Sequence, residues 1–469
     1  MPRITNDTPR KIIEDFAREI KQSQIDAVKP QDVVIHFRNE RAANFPRKVV
    51  SVPINLLRYR KDNGRIASDV YSYEKSIKVL EEEDDDDQKI LEKFLKDKDP
   101  DQTQNLKNSI LHQGQDDPAI ITCDGFLING NRRKMVFQLL REQTHDPKFD
   151  RMNVVILPGK NDPGGPPTNK EIEQIENRYQ LQKDGKSEYS NFDRALSIRR
   201  KIESGMSLED QLSDDPNFVS LSPSEFKKQV QKYEEEFLKP LGCVDRYLED
   251  LGRDGYYRSI SSGIGDREGR WQAFLDYYKS VRKKLENERE RISLGIEEDE
   301  VGRIEDVAFK LIRLREFPGQ KVHNLMRGLP KYLSDDISKD ELFALNRIRE
   351  LDPSETHDSD GKEDDYEIID QKWRNKNSTE IIRRVRRAID HSEHSDEMET
   401  PIELLKQALK KLEHRKMNPS SIGAGDLKEA MIIAEKVERK ARELKTELYN
   451  YIKDIDKLKK PQNKHTNAK

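Results

Sequence analysis

Cysteine is nearly missing from this chain. Cys123 and Cys243 are the two in 469 residues, and they stand far apart with no Cys-x-x-Cys spacing. That excludes a disulfide framework and a thiolate zinc site, and it suits a reducing compartment. The nine histidines form no His-Glu-x-x-His motif and no paired spacing with cysteine, so no structural metal is expected. No apolar run approaches the roughly 18 residues that span a bilayer. The opening MPRITNDTPRK lacks an apolar signal core. The expectation is a soluble, cytoplasmic protein with no membrane partner. Hydrophobic residues are also scarce, at 33% against 38% charged, where ordinary globular chains carry about 45–50% and about 25%. One large core is therefore not expected; compact modules separated by solvated helices are. An excess of one charge is lacking too. With 86 Lys and Arg against 90 Asp and Glu the net charge is −4, so any nucleic-acid surface has to be a local patch.

The pattern along the chain predicts an α+β amino-terminal half followed by helices. Residues 1–44 form an arm with a leading amphipathic helix that carries Ile12, Ile13, Phe16 and Ile20 at helical intervals. Residues 45–158 form a small α+β module. Its strands are expected at Val49–Val52, Ala119–Thr122, Phe126–Asn129 and Asn153–Leu157, with helices near 105–112 and from Asn131. Asp124-Gly125 between two apolar runs is a hairpin signal. The acidic run Glu81–Asp87 reads as a solvated insertion, and the Pro- and Gly-rich stretch 159–170 as a linker.

A helical domain follows over 171–260 and a second over 264–350, with breaks expected at Ser222-Pro223, Pro240, Gly263–Gly269 and Pro318-Gly319. Trp271, Phe274, Tyr277 and Tyr278 read as a core stripe. Residues 353–400 read as a flexible acidic linker with a short basic helix around Arg383, Arg384, Arg386 and Arg387. Over 401–460, Leu427, Ala430, Ala434, Val437, Ala441, Leu444, Leu448, Tyr451, Ile455 and Leu458 alternate steps of three and four. This is a coiled-coil seam, and Ile402, Leu405, Leu409 and Leu412 repeat it upstream. A helical hairpin or a homo-oligomer would bury it.

Chemistry concentrates in GQDDPAIITCDGFLINGNRR, Gly114 to Arg133. Gly130 falls where a strand ends and a helix begins, which exposes backbone N–H groups at the positive end of a helix dipole. Asn131 can cap that helix. Arg132 and Arg133 place two cations in its first turn, where they oppose the dipole, and a bound phosphate supplies the reason.

Together, VPINLLRYRKDNGRI, LKNSILHQGQDDPAII and DGFLINGNRRKMVFQLL resemble the amino-terminal domain of the ParB/sulfiredoxin superfamily. The matching positions are Leu106, Ser109, Ile110, Gly114, Gln115, Pro118, Ile120, Gly130, Arg132 and Arg133, and Ile175-Glu176-Asn177-Arg178 resembles the family's Glu-Asn box. Residues from Phe192 to Leu251 resemble the family's helix-turn-helix middle domain, so the likeness spans roughly residues 45–255. The resemblance implies binding of CTP or ATP with Mg2+. The nucleotide would lie against Arg65, Gly114, Gln115, Gly130, Asn131, Arg132, Arg133, Glu176 and Asn177, with Glu176 and Asn177 toward the metal.

Asn131 stands where the family's Gly-Glu-Arg-Arg has a carboxylate, and where sulfiredoxins have a reactive cysteine, so sulfinate reduction is excluded. The expected function is a nucleotide switch on DNA with slow hydrolysis. The other classes are a nuclease or phosphotransferase in phage defence or DNA modification, with Asp124, Glu176 and Asn177 around a catalytic metal, and an oligomeric scaffold without catalysis. Residues 171–260 carry more Asp and Glu than Lys and Arg, which is unlike a sequence-specific DNA reader.

Overall fold

Strand β3 organises the amino-terminal half. The two-residue period of a strand puts Val52 of Arg47–Pro53 on one face of a sheet and Val49 on the other. In this computed structural model, residues 8–459 are described apart from 28–31, 36, 39, 41–42, 99, 182–189, 214–217, 219–220, 262–268, 358–364, 398–400, 415–416 and 424. Two short strands, β1 (Ile25–Asp26) and β2 (Asp32–Val33), run antiparallel to β3. β5 (Arg151–Ile156) pairs β3 antiparallel and β4 (Ala119–Ile121) in parallel, so the five-stranded sheet is mixed. Phe126 and Leu127 make single bridges to Arg58 and Ile121 instead of the predicted strand.

The helices of this half are α1 (Glu14–Ser23), α2 (Ala67–Ser76), α3 (Asp85–Asp97), α4 (Pro100–Gln113), α5 (Asn131–Thr144) and α6 (Asn169–Leu181). One sheet face is covered by Leu91, Leu95, Ile110, Met135 and Leu140, the other by Ile172 and Ile175 of α6 with Phe37. Most of the acidic run is exposed, as expected of a solvated segment, but the run also starts a helix. Asp84 caps α3 by accepting from the Asp86 and Asp87 N–H groups, at 2.9 and 3.0 Å. Asp87 is buried and accepts from the Glu81 N–H at 2.9 Å. Acids at a helix start are favourable, and here they begin a helix that fills the core.

Beyond residue 190 come α7 (Asn191–Glu203), α8 (Leu208–Ser213), α9 (Pro223–Tyr233), α10 (Lys239–Asp250), α11 (Arg258–Ser261), α12 (Gly269–Tyr277), α13 (Lys283–Glu286), α14 (Glu288–Ser293), α15 (Val301–Leu314), α16 (Val322–Ser334), α17 (Asp336–Phe343) and α18 (Tyr366–Glu397). Two expected boundaries differ. Residues 171–260 and 264–350 share one core, because Trp271 lies 5.6 Å from Phe192 and Phe274 lies 5.3 Å from Tyr247, ring to ring. Pro240 does not break the chain's helix; a π-type turn, Glu234–Leu238, precedes it and absorbs the missing N–H. Nor is 366–397 a linker. Trp373, Ile381, Val385 and Ala388 of α18 are buried in the same core and Ile369 is buried as well, while Arg384 and Arg387 pair with Glu341. Trp271, Phe274, Tyr277 and Tyr278 are buried as their spacing predicts.

The chain divides into two units, Met1–Ser392 and Glu393–Lys469. In the second, α19 (Pro401–Leu412) and α20 (Leu427–Lys459) hold the predicted seam. Leu405, Leu409, Leu412, Leu427, Val437, Leu448 and Tyr451 are all exposed. The side chains of Ile402, Ile455 and Leu458 lie outside the described residues. No described helix is long and apolar enough to cross a membrane.

Candidate functional site

Gly130 closes the loop after β4 with φ 83°. A Cβ on it would lie 2.7 Å from the Ala119 Cβ and 3.3 Å from the Met152 Cε, so both backbone and packing require glycine. Gly130, not Asn131, takes the cap position of α5; Asn131 is the first helical residue. Its Oδ1 is buried and accepts no hydrogen bond among the described residues. Arg132 sits in the first turn. Burial and then the nearby Arg65 guanidinium push its pKa down to about 9. Two guanidinium groups near enough to oppose each other's charge at the positive end of a helix repel, and an anion bound there would offset that cost with charge-assisted hydrogen bonds.

The rest of the predicted set is spread around this pair. Arg133 turns away: its Nη1 donates to the Asp117 carbonyl at 2.6 Å. Gly114 ends α4 with φ 86°. The Gln115 amide clips the edge of β5, donating to Asn153 O at 2.7 Å and accepting from the Asn153 N–H at 2.8 Å. Gly114, Gln115 and Arg133 thus hold the loop before β4, while Arg65, Gly130, Asn131 and Arg132 gather at the start of α5.

Glu176 and Asn177 reach the site from α6. Glu176 is buried; it accepts from the Gly64 N–H at 3.3 Å and from Arg60 Nη1 at 3.4 Å. Asn177 Oδ1 accepts from Lys201 Nζ. Around them Arg60 pairs with Glu173 at 3.0 Å, and Arg200 pairs with Asp62. Mg2+ needs oxygens with free lone pairs. Both of these residues already face cations of the chain, and no group of three His, Cys, Asp or Glu among the described residues could hold a metal. The residues present do not fit a resident Mg2+. Asp124 is also spoken for: Arg10 Nη1 donates to both its oxygens at 2.8 Å, and the Ile13 N–H donates at 3.0 Å. The expected grouping of Asp124 with Glu176 and Asn177 is corrected, since each has its own cationic partner.

A consequence can be measured. Glu176→Gln keeps an acceptor for the Gly64 N–H but removes the charge opposite Arg60, which retains Glu173. The expected result is a loss of about 1–3 kcal/mol of stability with the Mg2+ dependence of nucleotide binding unchanged. Calorimetric melting, and titrations with and without EDTA, check both parts; an unchanged melting temperature contradicts the clamp.

Sequence reasoning missed Lys134. It is 5% exposed, with its Nζ 3.8 Å from the centroid of the Tyr59 ring. Tyr59 donates to Gln138 Oε1 at 2.7 Å, and Gln138 donates to Glu92 at 3.1 Å. Burial lowers the Lys134 pKa to about 8, with Arg58 adding and Glu92 opposing. Between that value and the ordinary lysine pKa the unfolded chain holds a proton that the folded chain has lost. Stability contributed by this group therefore rises from about pH 8 to about pH 10.4. Lys134→Met should abolish that rise and melt higher at pH 7; parallel pH-dependent melting curves contradict it.

The polar seam continues into the helical half. Lys98 Nζ lies 3.1 Å from Asp69 and 3.2 Å from Asp193, and the Arg258 N–H donates to Ser72 Oγ at 2.8 Å. Further along, α7, α8 and α9 follow one another in the region expected to hold a helix-turn-helix. The connection from α8 to α9 covers residues 214–222, longer than the usual turn of about 3–4 residues. Lys227, Lys228, Gln231 and Lys232 of α9 are exposed on a helix whose first turn is fixed by a Ser222/Glu225 capping box. Local charge here is positive despite the acidic region around it. No protein-family model matches this chain, nor does any curated protein or solved structure.

Proposed function

We propose that this chain is a ParB-like, cytoplasmic nucleotide-binding protein that acts on DNA as a switch. CTP or ATP seats its phosphates between Arg65 and Arg132 at the start of α5. Any Mg2+ arrives with the triphosphate, held by phosphate oxygens. The observation that carries this reading is the Arg65–Arg132 pair beside Gly130, because like charges held at a helix N-terminus are a ready-made phosphate site.

The coupling runs through one turn. Arg65 faces the nucleotide, and Gly64 of the same turn donates to Glu176 on α6. Asp62, two residues before Gly64, pairs with Arg200 of α7, which leads into α8 and α9. Filling the site draws Arg65 toward phosphate, shifts this turn, and so biases how α7–α9 present Lys227, Lys228 and Lys232 to DNA. The two halves are already docked by ion pairs, so the switch tightens an existing contact and does not close a hinge at 159–170. Slow hydrolysis resets it, and α20 joins copies of the chain.

Labelled CTP and ATP, each incubated with the full chain with and without duplex DNA, test the function. A switch releases phosphate slowly and leaves DNA whole. Label transferred to a substrate would mark a phosphotransferase, cut DNA a nuclease, and absence of both binding and turnover a scaffold; each of these overturns the proposal.

A further inference from the structure

A second arginine cluster lies in the helical half, remote in sequence from the nucleotide residues. Asp370 at the start of α18 accepts from Arg253 Nη1 and from Arg313 Nε, both at 2.9 Å. Arg313 also donates to Glu350 at 2.6 Å, and Arg315 pairs with Glu367 at 3.4 Å. Arg374, one turn along α18 from Asp370, has no hydrogen bond or ion pair among the described residues; burial and then Arg315 disfavour its charged form, while Asp370 and Glu367 favour it. Four guanidinium groups therefore share three carboxylates, and two of those, Glu350 and Glu367, are about half exposed.

The hydrogen-bond inventory is what marks the place. Arg313 Nη2, Arg315 Nε and Nη2, and Arg374 Nη1 are buried donors with no acceptor. The Arg313 side chain is only 2% exposed. Buried polar groups are almost always paired, and leaving one unpaired costs about 1–3 kcal/mol; four on three neighbouring arginines require something to accept from them. Arg315 also ends α15 with φ 66°, a positive φ that costs an arginine energy, in a tight turn closed by the Glu316 N–H donating to the Leu314 carbonyl at 2.8 Å. The Arg313 guanidinium is pinned 4.4 Å over the Trp373 ring and that of Arg253 4.5 Å over Tyr366. The cluster is held by packing, so it does not relax outward.

We propose that Arg313, Arg315 and Arg374 form a second site, for one phosphate-sized oxyanion, separate from the triphosphate site. A tetrahedral oxyanion offers several acceptors at once and suits forked guanidinium donors. The ligand is either inorganic phosphate or the phosphoryl group of a nucleoside monophosphate.

The test is calorimetric and thermal titration of the full chain at constant ionic strength, with inorganic phosphate and separately with CMP. It is run on wild type, on Arg65→Ala/Arg132→Ala, and on Arg374→Gln. Saturable binding that persists in Arg65→Ala/Arg132→Ala and weakens at least tenfold in Arg374→Gln is expected, with whichever ligand binds more tightly identifying the source. Arg374→Gln should also melt no lower than wild type without ligand, since it removes a buried donor without an acceptor and a charge that Arg315 opposes. Arg315→Gln serves as the second variant. Absence of binding in Arg65→Ala/Arg132→Ala, or equal binding in both arginine variants of the cluster and wild type, overturns the proposal. Because the first site is disabled in that arm, the outcome is independent of the nucleotide reading.

Discussion

Replacing Arg65 and Arg132 together by alanine should weaken triphosphate binding at least ~100-fold, because charge-assisted contacts to phosphate are worth about 1.5–3 kcal/mol each. Arg133→Ala should do much less. Although it is the neighbouring arginine of the same motif, its guanidinium already serves the Asp117 carbonyl, so its loss loosens the loop before β4 and leaves the anion contacts in place. The double variant should fold, since removing either arginine relieves the repulsion that lowers Arg132. Calorimetric titration of CTP and ATP into wild type and both variants gives the ranking. Equal affinity in wild type and the double variant sinks the assignment; an Arg133→Ala effect as large as the double variant's would move the site toward the 114–118 loop.

A chain ending at Glu397 should lose the oligomeric state of the full chain. α20 has 33 residues and α19 only 12, so a hairpin partner could cover about a third of the longer stripe. Leu427, Val437 and Leu448 are exposed, and burying each such side chain contributes about 1.5–3 kcal/mol. Ala430, Ala434 and Ala441 on the same seam let a second helix come close. Light scattering should find the full chain as an oligomer and the shortened chain as a smaller species; the same state for both contradicts it.

Much of the amino-terminal fold is legible because its signals are local. Val49–Val52 is a short β-branched, mostly apolar run, as a strand covered on both faces is. Gly130 follows an apolar run and precedes a 3.6-residue pattern, and the structure puts it at that junction. The misreadings share a cause. The run Glu81–Asp87 is mostly solvated as its composition says, but composition did not show that its acids cap and start α3. In α18 the apolar stripe Ile369, Trp373, Ile381, Val385, Ala388 is diluted by lysines and arginines that pair with acids from distant helices. Partnership is even less visible for site residues. That Glu176 pairs with Arg60 and that Arg65 lies near enough to oppose the charge of Arg132 depends on how α6 and the turn at 63–65 dock, which no spacing within either segment carries. Lys134 reads as a third surface cation after Arg132-Arg133, and only its place under Tyr59 shows otherwise.

The most direct test of the central claim is hydrogen–deuterium exchange of the full chain with and without saturating CTP or ATP. The account predicts slowed exchange at residues 64–66 and 131–134, spreading through α6 to α7, with no such change in the Arg65→Ala/Arg132→Ala chain. Unaltered exchange at 64–66 and 131–134 in the presence of bound nucleotide would contradict it.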